Sequence, residues 1–200
     1  VAGAIANDVH GKNHHRTGTF GRHVLNFELL RSSGEKLLCS PTQNTDWYGA
    51  TIGGLGLTGV ITKAEIQLTQ APSAHLNVVV KPYQNLVEFF ALGNELNDDY
   101  DYTVAWFDCA AKGDSLGRGI YYVANPAGAE SGFEQAKRWS ISVPITPPLS
   151  LVNRPTIGLY NKYYYWKQSK LANTQTTQSL EQYLYPLDAI KHWNRIYGPK

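Results

Sequence analysis

The chain has 200 residues, with 18 Lys and Arg against 16 Asp and Glu for a net charge of +2, and 42% of its residues are hydrophobic. That composition can bury a core and is not that of a disordered chain, and the lack of any long basic run argues against a nucleic-acid partner. Cys39 and Cys109 are too few and too far apart to imply a disulfide framework, and no apolar run approaches a membrane span.

The opening run, Val1-Ala2-Gly3-Ala4-Ile5-Ala6, is small and apolar and leaves room for a neighbouring group. It begins without methionine, so we read the chain as a piece of a longer one. From His23, Leu25, Phe27 and Leu29 alternate with Asn26 and Glu28, which predicts a strand with one buried face. Ser32-Ser33-Gly34-Glu35 is a turn and Lys36 to Cys39 a returning strand, giving a hairpin. Ser40-Pro41-Thr42 reads as the cap of a short helix to about Ala50. A strand over Val60–Leu68 follows a glycine-rich turn.

Ala71-Pro72-Ser73-Ala74 breaks the pattern and is taken as a domain boundary, separating residues 1–70 from 71–200. Beyond it the chain reads as strand (75–81), amphipathic helix (85–96) and two strands (102–107 and 119–123), an α+β unit with an antiparallel sheet. Residues 124–157 carry few periodic cues and predict long loops. The aromatic cluster Tyr160 to Trp166 reads as core or as a sugar-stacking platform. Residues 167–179 are polar and predict a mobile loop, and Pro186 with Asp188 opens a short helix ended by Gly198.

Two stretches carry candidate chemistry. Asp8-Val9-His10-Gly11-Lys12-Asn13-His14-His15, running on to Gly21, concentrates polar donors on a glycine-bent backbone. It can be read as a solvated turn, as a metal site on His10, His14 and His15, or as an anion or redox-cofactor loop. Gly11 weakens the helix that a zinc pattern needs, and Lys12 would repel the metal. Gly54-Leu55-Gly56-Leu57-Thr58-Gly59 spells a dinucleotide fingerprint, but a helix precedes it, a strand follows it and no acid lies between 66 and 87. It is therefore a turn that allows close approach to a ligand.

Taken in order, these segments resemble a known family. They are Gly3-Ala4-Ile5-Ala6 through His15, Gly53-Gly54-x-Gly56-Leu57-Thr58-Gly59, Ala105-Trp106-Phe107-Asp108, Asn161-Lys162-Tyr163, Tyr185-Pro186-Leu187-Asp188 and Trp193-Asn194-Arg195-x-Tyr197-Gly198. Together they resemble the FAD-linked oxidoreductases of the vanillyl-alcohol oxidase/PCMH superfamily, and within it the sugar oxidases acting on decaprenylphosphoryl-ribose or on aldonolactones. The resemblance implies that 1–70 is the second part of a PCMH-type FAD-binding domain and 71–200 a partial α+β substrate domain.

It further implies FAD as cofactor, contacted by Ala2, Gly3, Asn7, Asp8, Val9, His10 and Ile61. Lys12, Trp106, Asn161 and Tyr185 match substrate-side positions, and His10 and Lys12 are the implied catalytic residues, with His10 as base or as a positioner of the flavin. The implied substrate is a small or lipid-linked sugar. The implied company is a short-chain reductase and peripheral membrane association, with a cytoplasmic or inner-membrane-peripheral location. The family's N-terminal pyrophosphate-binding half and its C-terminal cysteine and lysine motifs have no match here, so these residues alone are expected neither to hold FAD tightly nor to turn over substrate. The other class of function left standing is a non-catalytic carbohydrate-binding module built on Tyr160–Trp166.

Overall fold

The structure, a computed structural model, describes residues 1–134 and 140–199, and the chain divides into two units, Val1–Gln70 and Ala71–Lys200. Both are α+β with antiparallel main sheets.

The first unit runs α1 (Ala2–Ala6), α2 (His14–Thr17), a 3-10 turn (Phe20–His23), β1 (Val24–Leu30), β2 (Lys36–Cys39), α3 (Thr45–Thr51) and β3 (Val60–Ile66). The sheet order is β2-β1-β3. The predicted hairpin is present, with Phe27 opposite Cys39 and Leu30 opposite Lys36. The buried face differs from the expected one in a single place. Val24, Phe27 and Leu29 point into the core while Leu25 is exposed. The cause is a break of register against β3 between Val24 and Asn26, which turns the strand by one residue. Ser40 is also reassigned: its Oγ accepts the N–H groups of Thr42 and Gln43, so it closes a tight turn, and α3 starts later after Asn44. The core gathers Ile5, Val24, Phe27, Leu29 and Cys39, with Tyr48 stacked on Phe27 at 5.5 Å and its hydroxyl donating to Val24 O.

The second unit contains β4 (His75–Tyr83), α4 (Leu86–Leu96), β5 (Tyr102–Phe107), β6 (Gly119–Pro126), β7 (Ile141–Ser142), α5 (Arg154–Ser169), β8 (Gln175–Ser179), α6 (Leu180–Leu184) and β9 (Ile190–Lys191). Its main sheet is ordered β5-β6-β4-β8. The continuous apolar run at Val78-Val79-Val80 is explained by burial on both faces. Leu76 and Val78 pack with Ala124 and Tyr183 on one side, and Val79 and Tyr83 with Leu96, Tyr121 and Val123 on the other. Asn85 caps α4 by accepting from Glu88 N, and Glu88 reaches back to Gln84 N.

Three expectations for this unit are corrected. Tyr160–Trp166 lies inside α5, and the predicted loop over 167–179 contains the end of that helix and strand β8. The C-terminal segment is not one helix but two 3-10 turns, Pro186–Ala189 and Trp193–Tyr197, separated by β9. Of the loops predicted over 124–157, residues 135–139 lie outside the described residues. The remainder holds the end of β6, a 3-10 turn (Ala129–Ser131), the short strand β7, which pairs in parallel with β9, and the first turn of α5.

Asp108, directly after β5, is the polar centre of this unit. It is 2% exposed, accepts Arg118 Nε and Nη2 at 3.0 and 2.7 Å, and takes the Asn161 amide at 2.7 Å and the Ala110 N–H at 3.0 Å. Burial pushes its carboxyl up, but the Arg118 guanidinium and the two further donors outweigh this and hold it below the usual range. Because the folded value is depressed, its stabilisation is complete above the ordinary aspartate range, about pH 4, and is lost as the pH falls through the lower folded value. Asp108→Ala should cost about 3–5 kcal/mol by stranding Arg118. Urea midpoints followed from neutral pH downward should show the variant's deficit shrinking once aspartates protonate.

Candidate functional site

The histidine stretch of the first unit is a loop closed at its base. Ile5 is fully buried and fixes α1 to the core. The chain leaves α1 through Asp8, which sits in the left-handed region at φ +43°. Asp8 Oδ1 accepts the Gly21 N–H at 2.8 Å, Val9 O accepts the Phe20 N–H at 2.8 Å, and His10 bridges to Thr19. Gly21 has to be glycine at this approach, since a Cβ would stand 2.5 Å from Ile52 Cγ2 and 2.9 Å from Asp8 Oδ1.

Between the closed ends the loop presents Gly11, Lys12 and Asn13 and then the single turn α2. The His14 ring lies 4.8 Å from that of His10, and its Nδ1 is 3.0 Å from Gly11 O. Lys12 is half-buried, and that burial lowers its pKa. His10 is exposed. Among the described residues no group of three His, Cys, Asp or Glu side chains is placed to hold a metal ion.

The glycine-rich turn is tied to the same helix. The Gly53 and Leu55 N–H groups donate to Ile5 O and Ala6 O at 3.1 and 2.8 Å. Both carbonyls lie at the C-terminal end of α1, where Ile5 O also accepts the Asp8 N–H at 3.0 Å. Thr51 and Thr58 share a hydroxyl hydrogen bond of 2.9 Å across the turn, and Gly59, at φ +152°, lies so close to β1 that a Cβ there would stand 2.5 Å from Leu30 O. Between α1 and this turn lies a cleft of about 370 Å³ lined by Ala2, Gly3, Ala6, Asn7, Thr51, Leu55, Gly56, Gly59, Val60 and Ile61. Ala2, Gly3, Asn7 and Ile61 are thereby brought together, though Asn7 and Ile61 lie far apart in the chain. Asp8, Val9 and His10 lie outside that lining, at the base of the loop. Ala6, Leu55, Gly56 and Gly59 come from the small opening run and the glycine-rich turn, both already marked for close approach, whereas Thr51 and Val60 join the cleft without any such signal.

The second unit carries the remaining candidates. The Trp106 ring on β5 packs at 4.7 Å against Tyr164 of α5, and Tyr164 shares a 2.7 Å hydrogen bond with the Tyr122 hydroxyl. Burial, with this bond adding to it, pushes the Tyr122 phenol far above its usual range. Asn161, one turn before Tyr164, is buried with its amide on Asp108. Trp106 and Asn161 thus share the β5–α5 region, whereas Tyr185 follows α6 as an exposed ring.

No family model matches the chain. The chain is 34% identical over 208 residues to decaprenylphosphoryl-beta-D-ribose oxidase of Mycolicibacterium smegmatis, an alignment covering 99% of this chain and 45% of that protein. The chain is a relative of the FAD-linked oxidases. An uncharacterized protein in the mprA 5′ region of Streptomyces coelicolor is 37% identical over 131 residues, covering 66% of this chain and 35% of its own length. Cytokinin dehydrogenase 9 of Oryza sativa subsp. japonica is 39% identical over 72 residues, or 36% of this chain and 14% of that enzyme. The chain therefore spans less than half the length of these relatives.

Asp8→Ala should open the loop base by removing the acceptor of Gly21, at a cost of about 1–3 kcal/mol. Asp8→Asn, which keeps an acceptor and tolerates the left-handed backbone, should cost less. Hydrogen exchange at the Gly21 amide reads the difference: fast in the alanine variant, protected in the asparagine variant.

Proposed function

We propose that the chain is part of an FAD-dependent oxidoreductase that oxidises a hydroxyl of a sugar, with residues 1–70 as the second part of a PCMH-type FAD-binding domain and 71–200 as part of the substrate domain. The observation that carries the reading is the cleft between α1 and the glycine-rich turn. It assembles Ala2, Gly3, Asn7 and Ile61, four of the positions that the motif resemblance assigns to the cofactor. Its lining has no ionisable side chain and offers small residues with glycine backbone, which suits an uncharged planar or ribityl portion of FAD rather than its phosphates. Its volume is that of a subsite rather than of a whole dinucleotide pocket.

When bound, FAD would accept the hydride that leaves the carbinol carbon. The hydroxyl proton has to depart as that carbon becomes a carbonyl, and the chain supplies two groups for this. His10 carries the side-chain type best suited to take a proton near neutral pH. Lys12 is a partly desolvated ammonium whose charge acts more strongly on a nearby substrate oxygen than a solvated one would, polarising the hydroxyl and stabilising negative charge that develops on it. In the second unit, Trp106 offers an aromatic face to a sugar ring or to the apolar part of a lipid carrier, and Asn161, held by Asp108, fixes α5 beside it.

The name of the Mycolicibacterium relative points to a ribose unit on a lipid phosphate as substrate. A ketone formed from such a sugar calls for a reductase as functional partner. Aldonolactones are the other substrate class to try.

The test is anaerobic mixing of the protein, expressed from its complete gene and loaded with FAD, with each candidate sugar while the flavin band is followed. Lys12→Ala should slow bleaching by about 100-fold or more, and His10→Gln by about 100-fold, with the bound-flavin spectrum kept in both. Unchanged bleaching in both variants would remove this pair from the chemistry.

A further inference from the structure

The second unit holds a cleft that none of the residues assigned above to cofactor or substrate lines. It lies at an edge of the main sheet. β8 pairs with β4 only from His75 to Val79, and the chain leaving α5 meets β4 once more, where Val80 O accepts the Asn173 N–H at 2.9 Å. Beyond that bond the edge of β4 carries no strand among the described residues. There a cleft of about 500 Å³ opens beside Lys81, flanked by Leu92 of α4 and by Tyr165 and Ser169 of α5. Asn173, in the left-handed region at φ +60°, fixes the Lys81 ammonium, which donates to its Oδ1 at 2.8 Å. Tyr165 and Ser169 stand one helical turn apart, at i and i+4. Their hydroxyls are shielded from solvent and have no hydrogen-bond partner among the described residues. The Tyr165 ring is held in place by Arg118, whose guanidinium carbon lies 5.1 Å from the ring centroid and is itself fixed by Asp108.

We propose that this cleft binds a small organic carboxylate with a short apolar body. Buried hydroxyls without partners are rare in native proteins, and two on adjacent turns of one helix call for an acceptor brought in from outside. The one charged side chain of the lining is Lys81, and no carboxylate among the described residues pairs with it. Glu88, in the first turn of α4, is held instead by the Gln84 N–H. One ammonium and two hydroxyls match the single charge and the two oxygens of a carboxylate. A phosphate, with its second charge, would call for a second cation. Pro82, Leu92 and Ala172 add an apolar wall, which takes an apolar body and gives a bare ion nothing to hold. The inference stands on residues of the second unit and not on the oxidoreductase reading, so a protein without flavin can bind such an anion and a flavoprotein can fail to.

Isothermal titration of the protein expressed from its complete gene, with benzoate as the probe, tests it. Benzamide keeps the ring without the charge, and acetate keeps the charge without the ring. Benzoate should bind, and the other two should bind about tenfold more weakly or less. Lys81→Gln, Tyr165→Phe and Ser169→Ala should each weaken benzoate by about tenfold, since each removes a donor to a charged acceptor. Without any probe, Tyr165→Phe should melt no lower than the unaltered protein, because its hydroxyl has no partner to lose. No binding of benzoate, equal affinity for benzamide, or tighter binding of inorganic phosphate would overturn the proposal. So would benzoate binding that none of the three variants weakens. A Tyr165→Phe variant that melts several degrees lower would overturn it too, since the hydroxyl would then already be paired within the folded protein.

Discussion

The carbonyl oxygens of Ile5 and Ala6 and the amides of Gly53 and Leu55 make the junction on which the first unit's candidate site depends. A five-residue helix cannot hold itself in water. α1 is held because Ile5 is buried among Val24, Phe27, Leu29 and Cys39, and because the glycine-rich turn adds two hydrogen bonds to its carbonyl end. With that end fixed, Asp8 can reach the Gly21 amide and close the histidine loop, so Lys12 and His10 are displayed from a rigid base. The cleft exists for the same reason, since one of its walls is α1 and the other is the turn bonded to it.

The second unit solves a comparable problem with charge instead of backbone. Asp108 directly follows β5, Arg118 stands just before β6, and their ion pair together with the Asp108 N–H to Arg118 O bond closes that hairpin. The remaining carboxylate oxygen takes Asn161 and so sets how α5 turns. One buried carboxylate thereby decides both that Tyr164 packs on Trp106 and that Trp166 faces outward. A buried ion pair is costly to desolvate, and satisfying each oxygen more than once offsets that cost.

Strands whose side chains face a core were legible in the sequence, because alternation around Phe27 and Leu29 and the apolar run at Val78–Val80 report burial directly. The glycine-rich turn was legible too, as a place of close approach rather than a nucleotide fingerprint, because its flanking elements had the wrong order. Helix α5 was not, since tyrosines and a tryptophan occupy both its inner and outer faces and no 3.6-residue stripe of hydrophobicity emerges. Its start could have been found, because Asn153 and Thr156 cap it reciprocally with Pro155 in the first turn. Strand β8 escaped because Gln175 to Ser179 has no apolar alternation; it is an edge strand held by its backbone pairing and by the Thr177 hydroxyl on Asn77. The shift of Leu25 to the exposed side followed from a break of strand register, which residue types do not announce. Of the candidate site, the small residues of α1 showed room for a neighbouring group, but Ile61 was reachable only through motif resemblance, because its meeting with them in one cleft is a product of the fold.

The visible absorption spectrum of the protein expressed from its complete gene, taken before and after denaturation, bears most directly on the function proposed for this chain. Flavin bands that accompany the folded protein, and whose cofactor is identified as FAD, are the expected result. A colourless protein that also fails to take up added FAD would contradict the assignment of the α1 cleft and of Lys12 and His10 to flavin chemistry.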